Sequence, residues 1–146
     1  MMKKIDIPPA WLLACMFVAW FLARVWPIYS FNVSGWVTGV LVGGGVYLVL
    51  WSVVWLRKRG TTLDPHDTPS ALVVEGPYKL NRNPIYTGMA VILLGVALWL
   101  GEFSALIPVV LFPLIVTWRF VAGEERTLRN TFGAAAEAYF AKSRRW

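Results

Sequence analysis

Residues 36–56 read Trp-Val-Thr-Gly-Val-Leu-Val-Gly-Gly-Gly-Val-Tyr-Leu-Val-Leu-Trp-Ser-Val-Val-Trp-Leu, twenty-one residues without a charge. At about 1.5 Å per residue, a helix of this length covers a hydrocarbon core about 30 Å thick. The segment offers water no polar face, so a bilayer is the solvent in which it is stable. It ends abruptly at Arg57-Lys58-Arg59, a basic boundary of the kind retained on the cytoplasmic side.

Three further apolar segments flank it. Residues 11–29, interrupted only by Arg24, come before it, and residues 85–100 and 103–118 come after. The last two are separated by Gly101-Glu102 alone, which permits only a tight antiparallel helical hairpin. At roughly 24 Å each, they span with local thinning or stop slightly short of the far side. The expected fold is an all-α membrane protein with four transmembrane helices and an interfacial amphipathic C-terminal helix. It forms a single membrane domain over residues 1–146, with 1–35 as an N-terminal span and 36–146 as the core. Residues 1–9 are basic, but the apolar run after them lacks a small-residue cleavage site and ends in Trp26-Pro27. It reads as a retained span.

Composition agrees. The chain is 58% hydrophobic and 15% charged, with mean hydropathy +0.57, too little polar surface for a soluble domain of 146 residues. Nine Trp and five Tyr suit membrane interfaces. One cysteine, Cys15, excludes an internal disulfide framework, and one histidine, His66, excludes a His-based metal cluster. Cys15 reads as apolar filler. The net charge of +6 lies beside apolar segments, so anionic lipid headgroups rather than nucleic acid are the expected partners.

The basic residues also orient the chain. With Lys3 and Lys4 inside, the next inside segment carries Arg57, Lys58, Arg59, Lys79 and Arg82. The last carries Arg119, Arg126, Arg129, Lys142, Arg144 and Arg145. Outside remain Arg24, which can snorkel, and Glu102. Both termini and the 57–84 loop are expected in the cytoplasm of a bacterial-type inner membrane. Gly35, Gly39 and Gly43, followed by Gly44 and Gly45, make a small-residue stripe for helix packing. Pro113 predicts a kink, while Pro108 falls near a helix start and is harmless.

The polar stretches hold the chemistry. Asn83 suits an N-cap and Pro84 the first helical position. The N–H groups of Ile85, Tyr86 and Thr87 would then form an anion site at the membrane surface, with Gly88 giving a ligand room against the backbone. The simpler alternative is that Asn83-Pro84 only caps the helix. Farther on, Glu124-Glu125 follows the last apolar segment directly. Two carboxylates there call for a cationic or hydroxyl-rich ligand, or for neutralisation by Arg126 and Arg129. Leu128, Phe132, Ala136 and Tyr139 repeat at helical spacing in the tail, with Gly133 as an interruption.

Together, Gly76-Pro77-Tyr78, Arg82-Asn83-Pro84-Ile85-Tyr86-Thr87-Gly88, the paired spans and Glu124-Glu125 form a pattern. Over roughly residues 36–146 it resembles the isoprenylcysteine carboxyl methyltransferase and phospholipid methyltransferase superfamily of membrane enzymes. Leu128, Phe132-Gly133, Tyr139 and Arg145-Trp146 fall in step with that family's tail. The resemblance implies an S-adenosylmethionine site roofed by the loop and the tail. Ser70, Ala71, Leu72, Val73 and Tyr78 match a cofactor-contacting strip, and Asn83, Pro84, Ile85 and Tyr86 match the contacts at the helix start. Glu124 matches the tail's cofactor contact, with Glu125 beside it. Asn83 stands where many members have His. Arg119 is the nearest match to a substrate-anchoring Arg, though it lies closer to the span. No Gly-rich dinucleotide fingerprint is present.

The implied activity is methyl transfer from S-adenosylmethionine to a lipophilic acceptor at the cytoplasmic face, as in isoprenylcysteine carboxyl methylation. A phospholipid amine or small thiol as acceptor, or a non-catalytic scaffold of the same fold, are the alternatives.

Overall fold

The computed structural model describes residues 6–146, so Lys3 and Lys4 lie outside the described residues. Four long helical stretches follow one another. Helix α1 (Pro8–Val25) starts with two prolines in its first turn, where a missing N–H costs nothing. Helix α2 (Gly35–Lys58) is the 24-residue form of the charge-free segment, and Arg57 and Lys58 in its last turn complement the helix dipole. Helix α3 (Pro84–Leu100) stops at Gly101, whose φ of 71° is left-handed. A Cβ there would lie 2.6 Å from the Phe31 carbonyl oxygen, so both the turn and the close approach require glycine.

The last stretch is one 30-residue helical run, Phe103–Phe132. It opens with a 3₁₀ turn (Phe103–Leu106), continues as α4 (Ile107–Val116), loosens into a π turn (Thr117–Val121) and resumes as α5 (Ala122–Phe132). Pro108 occupies the first turn of α4 and Pro113 its interior. The missing Pro113 donor and the π turn just beyond it make this the irregular part of the bundle. Gly133, at φ 51°, separates α5 from α6 (Ala134–Lys142).

Among the described residues, three helices are long and apolar enough to cross a membrane: Pro8–Val25, Gly35–Lys58 and Phe103–Phe132. The 17-residue α3 is apolar but shorter, and contributes Tyr86, Met89 and Leu93 to the core. Around them pack Cys15, Phe112, Val116, Phe120 and Val121. Cys15 is thus the apolar filler its surroundings suggested.

The expected glycine stripe is displaced. Nothing approaches a Cβ built on Gly35, Gly39 or Gly43. The close crossing uses Gly45 and Gly88 instead: a Cβ on Gly45 would meet the Gly88 carbonyl oxygen at 2.6 Å, and one on Gly88 the Gly45 carbonyl oxygen at 2.7 Å. Gly88 is therefore filled by α2 and leaves no room for a ligand. Inside hydrocarbon, lipid tails are as apolar as leucine, so van der Waals contact at such crossings holds the helices together.

The far end of the bundle is strapped. The Phe31 N–H donates to the Gly101 carbonyl at 2.8 Å and the Phe103 N–H to the Tyr29 carbonyl at 3.0 Å. An isolated antiparallel bridge joins Ser30 to Glu102. The Tyr29 and Phe31 rings meet the Phe103 ring edge-on at 5.8 and 5.7 Å.

Candidate active site

At the other end, the polar loop folds back over the start of α3. Gly60, at φ 64°, turns the chain off α2. Ser70 pins the loop by donating its N–H to Thr61 Oγ1 (3.2 Å) and its hydroxyl to the Gly60 carbonyl (2.8 Å). Gly76, at φ 60°, packs directly on the Trp55 indole, which leaves no space for a Cβ. The 3₁₀ turn Gly76–Lys79 then buries Tyr78.

The C-terminal segment lies across this loop. The Tyr139 hydroxyl donates to the Tyr78 carbonyl at 2.7 Å. The Arg82 N–H donates to the Arg144 carbonyl at 2.8 Å, and Asn83 Nδ2 to the Arg145 carbonyl at 2.9 Å. Arg82 Nη1 also holds the Phe140 and Ser143 carbonyls, each at 3.0 Å. Glu125, only 5% exposed, sits beneath. It takes a two-point grip from Arg145 (2.9 and 2.7 Å) and a third contact from Arg82 at 3.2 Å. Hydrogen bonding to Glu125 raises the Arg145 pKa above its usual value. The carboxylate partners are therefore Arg82 and Arg145 rather than Arg126 and Arg129, and Arg129 pairs with Glu137.

These elements enclose a cavity of about 350 Å³, within the range of small-molecule sites. One wall is apolar: Val49, Val53 and Leu56 of α2, with Ile85 and Met89 of α3. The opposite end is polar, with Tyr78, Asn83, Tyr86, Glu124 and Tyr139. The Tyr86 hydroxyl donates to Glu124 Oε1. Burial, then the Glu124 and Tyr139 charges, pushes the Tyr78 phenol far above its usual value. Burial likewise pushes Tyr139 up to about 12. Both remain neutral donors at physiological pH.

Of the residues expected at a cofactor site, Ala71, Leu72, Val73, Tyr78, Asn83, Pro84, Ile85, Tyr86, Glu124 and Glu125 all line this cavity. Ser70 does not, since it closes the loop behind it. Arg119 does not either: it pairs with Asp6, to which the Trp11 indole also donates at 3.1 Å. Asn83 holds the N-cap position, yet its side chain makes no capping bond and is used on the tail. Among the described residues, the N–H groups of Ile85 and Tyr86 find no acceptor, whereas Thr87 donates to the Asn83 carbonyl at 2.9 Å. The anion-accepting helix start is thus two N–H groups rather than three.

Sequence reasoning missed the loop turn between Thr61 and Asp67, Pro8 and Pro9 at the start of α1, and Phe140, all of which line the cavity. The Thr62-x-Asp64-x-x-Asp67 spacing was the available signal for that turn: the Asp64 N–H donates to Thr62 Oγ1 (3.0 Å), and the His66 N–H to Asp64 Oδ1 (2.9 Å).

A model of the phospholipid methyltransferase family matches residues 33–135. The chain belongs to the phospholipid methyltransferase family. The match takes in α2 to α5 and every residue expected at the cofactor site between Ser70 and Glu125. This phospholipid methyltransferase family member is also 37% identical over 62 residues to an uncharacterized protein of Haemophilus influenzae, covering 42% of this chain and 98% of that protein. No solved structure matches the chain significantly. By family it is a membrane methyltransferase, and its apolar helices make it an integral membrane protein.

Proposed function

We propose that the protein transfers a methyl group from S-adenosylmethionine to the amine of a phospholipid that enters from the bilayer. One observation carries this reading: a single cavity joins a polar end at Tyr86 and Glu124 to an apolar wall on α2 and α3. A charged methyl donor needs the first and a lipid acceptor the second.

The residues present fit the cofactor. The two unpaired N–H groups of Ile85 and Tyr86, at the positive end of α3, suit its carboxylate. Glu124, steadied by Tyr86, suits its ammonium or ribose hydroxyls. Bound there, S-adenosylmethionine would supply an electrophilic methyl on a sulfonium. The chain's own part is to hold both reactants in line and exclude water, with the loop and the tail as roof. An amine is favoured over a carboxylate acceptor because no free arginine lines the cavity. Arg82 is committed to Glu125 and to the tail carbonyls, and Arg119 faces Asp6.

In this reading α3, about 26 Å long, also crosses the membrane, giving four spans. The 57–84 loop, α6 and both termini are then cytoplasmic, with the amphipathic tail at the interface. The basic residues gathered at that end support the orientation.

The test is transfer of labelled methyl from S-adenosylmethionine into defined phospholipids by the purified protein. Label in phosphatidylethanolamine that is absent with Glu124→Gln supports the proposal. Label only in a prenylcysteine or a thiol would move the acceptor. No label, together with no affinity for S-adenosylhomocysteine, would leave a scaffold.

A further inference from the structure

At the strapped end, a second cavity of about 380 Å³ is lined by Trp20, Ala23, Arg24, Trp99, Leu100 and Glu102. It lies where α1 and α3 both terminate, a helix length away from the first cavity. The strap fixes Glu102 in place: its backbone bridges to Ser30, and its Oε1 accepts the Ser30 hydroxyl. The other carboxylate oxygen, Oε2, is sealed from solvent and has no hydrogen-bond partner among the described residues. Arg24 lines the same space and forms no ion pair with Glu102 or with any other described residue.

Opposite charges that share a cavity without touching leave room for a ligand that carries both signs. A sequestered carboxylate oxygen without a partner is costly, so a cationic donor satisfies it. Indoles attract cations as well, and ammonium groups most strongly. Arginine at a membrane boundary reaches phosphates readily. A phosphate and an ammonium on one short linker, met at a bilayer boundary, describe a zwitterionic phospholipid headgroup. Trp99, 71% exposed, and Trp20 open this cavity toward lipid.

We infer that the cavity binds the headgroup of a zwitterionic phospholipid, its phosphate on Arg24 and its ammonium between Glu102 Oε2 and the indoles of Trp20 and Trp99. This site is separate from the methyl-transfer cavity and does not depend on that reading.

The full chain, delipidated in detergent, is titrated with phosphatidylethanolamine, phosphatidylcholine or phosphatidylglycerol of identical acyl chains, and retained lipid is counted by native mass spectrometry. One zwitterionic lipid should be held about tenfold more tightly than phosphatidylglycerol, the scale of one charged contact. Glu102→Gln should erase that preference, and Arg24→Gln should weaken all three lipids. Trp99→Leu alters an exposed side chain that the fold does not need, and should reduce the preference even if Glu102→Gln fails to fold. Equal retention of phosphatidylglycerol, or a preference that survives both Glu102→Gln and Trp99→Leu, overturns the inference. So does a preference lost in Glu124→Gln but kept in Glu102→Gln, which would assign the lipid to the other cavity.

Discussion

Tyr86, in the first turn of α3, donates its hydroxyl to Glu124, in the first turn of α5, so residues 38 apart in sequence meet at one carboxylate. The bond joins the helix start that suits an anion to the side chain that suits a cation, and so sets the spacing of the two.

Glu124→Gln keeps an oxygen for Tyr86 but removes the charge. Affinity for S-adenosylhomocysteine, measured by calorimetry, should fall about ten- to a hundredfold, the equivalent of roughly 1.5–3 kcal/mol. The unfolding midpoint should hardly move. Unchanged affinity would reduce Glu124 to a partner of Tyr86.

Glu125 has a different task, although it is the next residue. Its carboxylate ties Arg145 and Arg82 together beneath the tail. Glu125→Ala leaves Arg82, itself 15% exposed, without its carboxylate, and should destabilise the protein by about 3 kcal/mol. Arg145 is more exposed, so Arg145→Ala should cost less. A double-mutant cycle between the two positions should return a coupling of about 0.5–3 kcal/mol. Additive effects would mean that the tail is held by its backbone bonds alone.

Glycine substitutions separate the helix crossing from the open stripe. Gly45→Ala and Gly88→Ala each drive a methyl into the opposing backbone. Either should lower stability in detergent by about 1–3 kcal/mol. Gly39→Ala and Gly43→Ala meet nothing within the chain and should be neutral or slightly stabilising, since alanine favours a helix more than glycine does. Thermal unfolding of the four variants decides, and a loss at Gly39 equal to that at Gly88 would contradict the crossing.

Arg119 faces Asp6, not the cavity, in a pair whose arginine is 43% exposed. Such a pair contributes at most about 1 kcal/mol. Arg119→Lys should therefore leave the acceptor KM, kcat and S-adenosylhomocysteine affinity nearly unchanged. A raised acceptor KM with intact cofactor affinity would restore Arg119 as a substrate anchor that exchanges Asp6 for the acceptor.

Reporter fusions test the orientation. Those after Tyr29 or Glu102 should read outside, and those after Gly60 or Trp146 inside. An inside reading after Glu102 would make α3 and α4 a re-entrant hairpin.

The helices were legible because membrane segments carry their signal in long uncharged runs, as residues 36–56 do. Charge placement and the Arg82–Gly88 run likewise singled out most of the residues that line the cavity. Pairings were harder. Which arginine meets Glu125 depends on how the tail folds back past Gly133, and no local pattern specifies that. Gly35, Gly39 and Gly43 have a better packing spacing than Gly45, yet Gly88 can oppose only one register of α2, and that register selects Gly45. Asn83 keeps its cap position, but its amide is drawn to the Arg145 carbonyl, a partner 62 residues away.

The strap between residues 29–31 and 101–103 sets how the molecule behaves as a barrier. Leu93, Phe112 and Val116 fill the bundle between that strap and the first cavity without gaps. The loop-side chamber is consequently blind-ended: solutes enter and leave by the mouth they came through, and no aqueous conduit runs the length of the bundle. A protein built this way can exchange charged molecules at one surface through every cycle without short-circuiting the ion gradients of the membrane that houses it.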